Sequence, residues 1–290
     1  MEKIKGNNVS INNKTHQIIA WSLLLGLLLL RIPFRGLIPL FIQQSWIDIV
    51  WQIGTYFLTA CLLWWERDHL GDFYTDKLAL IIIIIFKPVQ TVMSAILNYK
   101  GDPFSFPHWP GLIFWIISIG LLLALLLNHP HLAKLSKASF GWFGFGILVG
   151  LVTIILIGYP ESFQITGIPS LRWSDIFPLI VHDLPGFFHQ LGYAAVAEEP
   201  LFRGFLWGYL LKAGWKNVWI WLFQAGLFML AHIYDINKFP ISFWFLIPLG
   251  SLVSGALVWR SKTISTSLAA HAIMNTLGAR IGFIIASFRM

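Results

Sequence analysis

Gly192-Tyr193-Ala194-Ala195-Val196-Ala197-Glu198-Glu199-Pro200-Leu201-Phe202-Arg203-Gly204 reads as membrane helix interrupted by two adjacent carboxylates. An ionisable side chain in hydrocarbon is costly, so such groups face a polar cavity, pair with a cation or do chemistry. The rest of the chain keeps this apolar character. It is 57% hydrophobic and 11% charged, with 24 Phe and 15 Trp, far outside the range of soluble domains. Apolar runs of about 20 residues predict about nine spans, near 18–40, 46–65, 78–98, 110–128, 140–159, 187–211, 217–234, 243–260 and 263–286. The expected fold class is all-α, a polytopic transmembrane helix bundle in the lipid bilayer, with the site-bearing core in the last four spans. No fixed-period repeat or low-complexity linker divides it. The segment 171–186, with Asp175 and Asp183 among Leu171, Trp173, Ile176 and Phe177, reads as an amphipathic stretch lying at the interface.

The net charge of +7 comes from basic residues scattered between apolar runs, so they are topology signals and no nucleic-acid partner is expected. Cys61 is alone, which excludes a disulfide framework and a cysteine metal site. A polar lead followed by an apolar run from Ile18, without a small-residue cleavage motif, reads as an uncleaved first span. Placing the N-terminus inside puts Lys3, Lys5, Lys14, Arg67, Lys77, Lys134, Lys137, Lys212, Lys216, Arg260 and Lys262 on the inner face. They outnumber Arg31, Arg35, Lys100, Arg172, Lys238 and Arg289 outside. The positive-inside rule therefore favours a cytoplasmic N-terminus.

Two later apolar segments carry His232 and His271. At about 1.5 Å per residue, Glu198 and His232 lie roughly 20 Å from the inner ends of their spans and His271 roughly 12 Å, depths that permit one shared site. Glu199 and Arg203 are four apart, so a carboxylate and a guanidinium share a helix face and pair. Glu198 points about 100° away with no cation one turn off on its own helix, which frees it to act as a base. Pro200 removes a backbone bond just after the pair, and Gly204 permits close helix approach. His271 and Asn275, also four apart, can present donors to one developing oxyanion. His232, four after Phe228, is the natural partner of Glu198 in polarising water.

Each residue alone has a structural reading. Glu199–Arg203 alone is an ion pair, a lone buried histidine is often a hydrogen-bonded core residue, and Asn275 alone bonds between helices. Their conjunction points to a site. His189 lies about half a turn from Glu198 on the same helix and is set aside. His16, His69, His108, His129, His131 and His182 fall near span ends or loops. The tryptophans cluster at span ends as interfacial anchors. Gly146 with Gly150, and Gly250 with Ser254, are small-xxx-small patterns that predict close helix packing.

Glu198-Glu199-x-x-x-Arg203, Phe228-x-x-x-His232 and His271-x-x-x-Asn275, in this order on successive apolar segments, resemble the three signature motifs of the CPBP family. That family contains the CaaX prenyl endopeptidases and the bacterial Abi (CAAX protease and bacteriocin-processing) proteins. The resemblance covers roughly 187–286 and divides the chain into a variable N-terminal region of about five spans, 1–170, and a catalytic membrane core, 171–290. It implies intramembrane endoproteolysis of a membrane-associated protein or peptide, in a multi-pass protein of a bacterial plasma membrane. Glu198 would be the general base, His232 would orient and activate water, and His271 with Asn275 would form the oxyanion hole. Glu199 and Arg203 would hold the site together. Glu198, His232 and His271 could instead bind zinc. No His-Glu-x-x-His pair shares a helix, so the favoured expectation is no cofactor, with zinc as the alternative. The rivals from other classes are a proton-coupled transporter, against which no inverted repeat is visible, and a silent scaffold or immunity protein.

Overall fold

The computed structural model describes residues 3–38, 44–97, 104–106, 108–128, 135–162, 171–237 and 239–288, and every regular element among them is helical. In hydrocarbon only a helix or a closed barrel satisfies every backbone N–H and C=O, and these apolar runs take the helix. α1 (Lys3–Leu29) runs on into a π-helical segment, Leu30–Leu37, and is followed by α2 (Gln44–Trp65), α3 (Lys77–Ile96), α4 (Gly111–Asn128) and α5 (Lys137–Ser162). A short α6 (Trp173–Asp183) leads into α7 (Pro185–Ala197), a π segment Pro200–Leu206 and α8 (Trp207–Lys212). The chain ends with α9 (Asn217–Leu230), a π segment Ser242–Leu246, α10 (Ile247–Ser261) and α11 (Ile264–Ser287).

Among the described residues seven helices are long and apolar enough to cross a membrane, spanning Lys14–Leu37, Trp46–Trp65, Lys77–Ile96, Gly111–Asn128, Lys137–Leu156, Ser242–Ser261 and Ile264–Ser287. The two expected spans outside this set depart from continuous helix at the candidate site. The run expected over 187–211 breaks at Glu198, whose φ of −138° and ψ of −55° leave the helical region. Pro200 is the cause, because its ring clashes with the carbonyl four residues back and donates no hydrogen bond. The run expected over 217–234 stops at Leu230 after 14 residues, and the chain turns through Ala231 and His232. Interrupted helices are tolerated at membrane depth only where protein or a cavity surrounds the freed backbone.

α11 lies along α5, and the approach depends on glycine. A Cβ on Gly146 would collide with the Thr266 carbonyl, and one on Gly150 would strike Ile273 and stand 2.8 Å from the Ala270 carbonyl oxygen. This is the close packing expected of the small-xxx-small pattern. The second such pattern is different. Gly250 has open space where a Cβ would sit, and with Ser254 it lines a cavity. A spacing of four places two small residues on one face but does not say whether that face meets a helix or a void.

α6 buries none of its residues and exposes Trp173 and Phe177, as expected of an interfacial segment. Asp183 at its end accepts two hydrogen bonds from Arg280 of α11, at 2.6 and 3.1 Å. The Arg280 guanidinium beside it, with His182, holds the Asp183 carboxyl below its ordinary range. His129 and His131 lie outside the described residues.

Candidate active site

Four elements distant in sequence converge on one point. The break after α7 supplies Glu198, Glu199 and Arg203, the turn after α9 supplies His232, and α11 supplies His271. The π segment after α1 supplies Arg31. All are buried except His232, which is partly exposed.

Glu199 behaves as the spacing implies. Its Oε1 accepts from Nη1 of Arg203 at 3.2 Å, and Arg203 also donates to the Ser251 hydroxyl at 2.8 Å. The guanidinium lies over the Phe228 ring, 4.3 Å from its centre, which combines a charge pair with ring stacking. The same Glu199 oxygen is 2.8 Å from Nδ1 of His271.

Glu198 departs from the expectation twice. It does not diverge from Glu199, because Oε2 lies 3.2 Å from Nε2 of His271, so one imidazole stands between both carboxylates. The predicted divergence assumed a regular helix, and the break at Glu198 re-aims its side chain. Nor is Glu198 without a cation, because Nη2 of Arg31 donates to Oε1 from 167 positions away. Arg31 is therefore no loop charge for topology but a fully buried side chain stacked over Trp51, 5.0 Å from the ring centre. Glu198 Oε2 makes no aligned hydrogen bond, and Glu198 is among the residues that line a cavity.

His232 is fixed at both nitrogens. Nδ1 is 2.8 Å from the Phe228 carbonyl oxygen. A carbonyl only accepts, so this nitrogen carries the proton. Arg31 Nη2 lies 3.1 Å from Nε2, which as an acceptor belongs to a neutral ring. Asn275, one turn beyond His271, is exposed, donates to Gln190 at 3.3 Å and lines the cavity. It makes no hydrogen bond to His271, whose ring nitrogens already face the two carboxylates.

The cavity holds about 400 Å³, and Glu198, His232, His271, Asn275, Tyr193 and Tyr234 are among its walls. That is the size of a small ligand pocket. A larger one, about 710 Å³, opens between α1, α8 and the stretch just after α2 that carries Glu66, His69 and Asp72. Its charged walls are mutually paired: Glu66 with His16 at 3.0 Å and with Tyr209 at 2.7 Å, and Lys212 with Asp72 at 3.2 Å. We read it as an interhelical tie. His189 sits beside Gln90 of α3, 3.5 Å away, and His69, His108 and His182 are exposed. A zinc ion would need Glu198, His232 and His271 together. The Arg31 guanidinium contacts both Glu198 and His232, so a cation there would have to displace it. Among the described residues no three His, Cys, Asp or Glu side chains are grouped to hold a metal.

Residues 181–277 match the family model of the Rce1-like type II CAAX prenyl endopeptidases. This segment is a domain of the CPBP/CaaX protease family. It contains every residue of the three motifs and excludes Arg31. No curated protein and no solved structure matches the chain. The segment that resembles a CaaX-type endopeptidase domain thus lies within a bundle of helices apolar enough to span a membrane, and a domain of that type implies a membrane-associated protein or peptide as substrate.

Sequence reasoning missed Arg31. Its signal is a charged residue in an apolar run two positions before a proline, Arg31-Ile32-Pro33, as Glu198 stands two before Pro200.

Proposed function

We propose that the chain hydrolyses a peptide bond within the membrane by a water activated on Glu198, without a metal. The observation that supports this most is a buried carboxylate, Glu198, that lines a cavity inside an apolar bundle and has one oxygen, Oε2, without an aligned hydrogen bond. A buried carboxylate so placed can accept a proton. Water attacks the scissile carbonyl carbon while its proton passes to Oε2. The C–N bond then breaks as that proton is delivered to the leaving amine. Negative charge on the carbonyl oxygen would be met by the Asn275 amide, while His271, with a nitrogen toward each carboxylate, holds Glu198 and Glu199 in register. His232, pinned through Nδ1, holds its ring edge toward Glu198. Glu199 and Arg203 position His271.

The test uses full-length protein in liposomes and a fluorogenic membrane-anchored peptide panel, with and without prolonged chelation. Wild type should cleave in both conditions. Glu198→Gln keeps the shape but not the basicity, and should lose about 10²–10⁴-fold in turnover while remaining inserted. Full activity in Glu198→Gln would show that another group takes the proton. Activity that disappears with bound zinc and returns with it would replace the metal-free reading.

A further inference from the structure

We infer that Arg31, outside the protease domain, is a positioning residue of the active site: its guanidinium fixes Glu198 and His232 together so that a single oxygen of this cavity-lining carboxylate is left without an aligned hydrogen bond. The inference rests on the protease reading above and adds to it a residue that the family motifs do not contain.

Two facts separate Arg31 from an ordinary buried ion pair. Its hydrogen-bond contacts at Nη2 are to Oε1 of Glu198 and to Nε2 of His232 at 3.1 Å, two groups of the proposed chemistry. Arg203, by comparison, divides its donors between Glu199 and Ser251. A carboxylate has two oxygens of equal basicity until something distinguishes them. Arg31 occupies Oε1 and leaves Oε2 beside His271. The same nitrogen, as a donor to Nε2, selects the neutral His232 ring whose other nitrogen holds the Phe228 carbonyl.

The N-terminal helix is built to hold that position. Pro33 lies inside the segment Leu30–Leu37 and displaces its backbone into π geometry, which brings Arg31 and Arg35 inward, both buried. Gly36 allows the segment to pass close to the turn at His232, with the Leu230 carbonyl oxygen 3.6 Å and the Ile233 side chain 3.4 Å from its Cβ position. Arg35 then braces it. It pairs with Asp48 of α2 at 3.0 Å and stacks over Tyr234, two residues beyond His232, at 4.6 Å. The catalytic centre is thus assembled across the boundary between the N-terminal region and the protease domain.

Arg31→Gln, Arg31→Lys and, as a structural comparator remote from the cavity, Glu66→Gln are to be assayed as full-length protein in liposomes with the cleaved peptide. Rates are taken per folded molecule. Arg31→Gln should lower kcat by about 10²-fold with KM within about twofold, the signature of misplaced reacting groups with binding intact. Arg31→Lys keeps the cation but loses the planar group stacked over Trp51 that fixes the donor in place, and should fall between wild type and Arg31→Gln, about tenfold below wild type. Glu66→Gln should lose folded protein but keep kcat. If Arg31→Gln fails to fold, Arg31→Lys decides. Wild-type kcat in whichever Arg31 variant folds, or a loss no larger than in Glu66→Gln, overturns the inference and leaves the protease reading standing. A wild type that cleaves nothing overturns both.

Discussion

Glu198 and Glu199 are neighbours in the chain, and each is held by an arginine, yet the two arginines come from opposite kinds of distance. Arg203 stands four residues from Glu199 on the same interrupted helix, so the pair is set by helical geometry. Arg31 stands 167 residues from Glu198 and reaches it only because α1, α2 and the turn after α9 pack as they do. The local half of the site is secured by the domain that carries the motifs. The distant half depends on the whole bundle. The two halves meet at His271, which touches both carboxylates.

The sharpest way to separate them is to remove the local cation. Arg203→Ala leaves Glu199 buried without a compensating charge, and the folded state should lose about 3–5 kcal/mol. A thermal melt in detergent would show it, with Asn275→Ala, which leaves no buried charge unpaired, close to wild type as the contrast. Equal destabilisation by both would mean that the halves are not divided into support and chemistry.

Asn275→Ala probes the far wall. It should reduce turnover by about 10²–10³-fold with little change in KM, because the amide would act only on charge present in the transition state. A proton relay has no use for an amide that does not titrate. A flux through liposomes that survives Asn275→Ala but fails with either His232 or His271 replaced, alongside a wild type without cleavage, would favour a transporter.

The smallest effect concerns the tie between α6 and α11. The Asp183 carboxyl is held below its ordinary range by Arg280, so its stabilisation is present above the unfolded value near pH 4 and is lost as pH falls through the folded value. Partial exposure limits it to under about 1 kcal/mol. The melting difference between wild type and Asp183→Asn should be measurable at pH 7 and vanish as the pH falls below about 4. A difference that persists in acid would assign the tie to packing.

What was legible follows the same division between near and far. Helical class and membrane setting come from run length and apolar content, which the bilayer imposes directly. Glu199–Arg203 and the seam at Gly146 and Gly150 come from a spacing of four. The convergence of Glu198, His232 and His271 was anticipated by their depth along the spans. The exact aim of Glu198 was not, because a proline inside a helix says that it breaks but not which way the freed residue turns. A basic residue at a span end has two destinations, interface or interior, and only packing sends Arg31 inward. Gly250 failed for a related reason, since the same spacing serves a helix contact and a cavity wall.

One feature of the bundle bears on the lipid rather than on the protein. α9 has 14 residues, about 21 Å of helix, and turns Trp219, Leu222, Phe223 and Leu230 outward. A hydrocarbon layer of about 30 Å beside so short an apolar face thins or the flanking polar groups draw toward it. The deformation falls where α9 ends, next to His232. Thinning there would bring water to the His232 end of the proposed site, and would make acyl-chain length a variable of the proposed reaction.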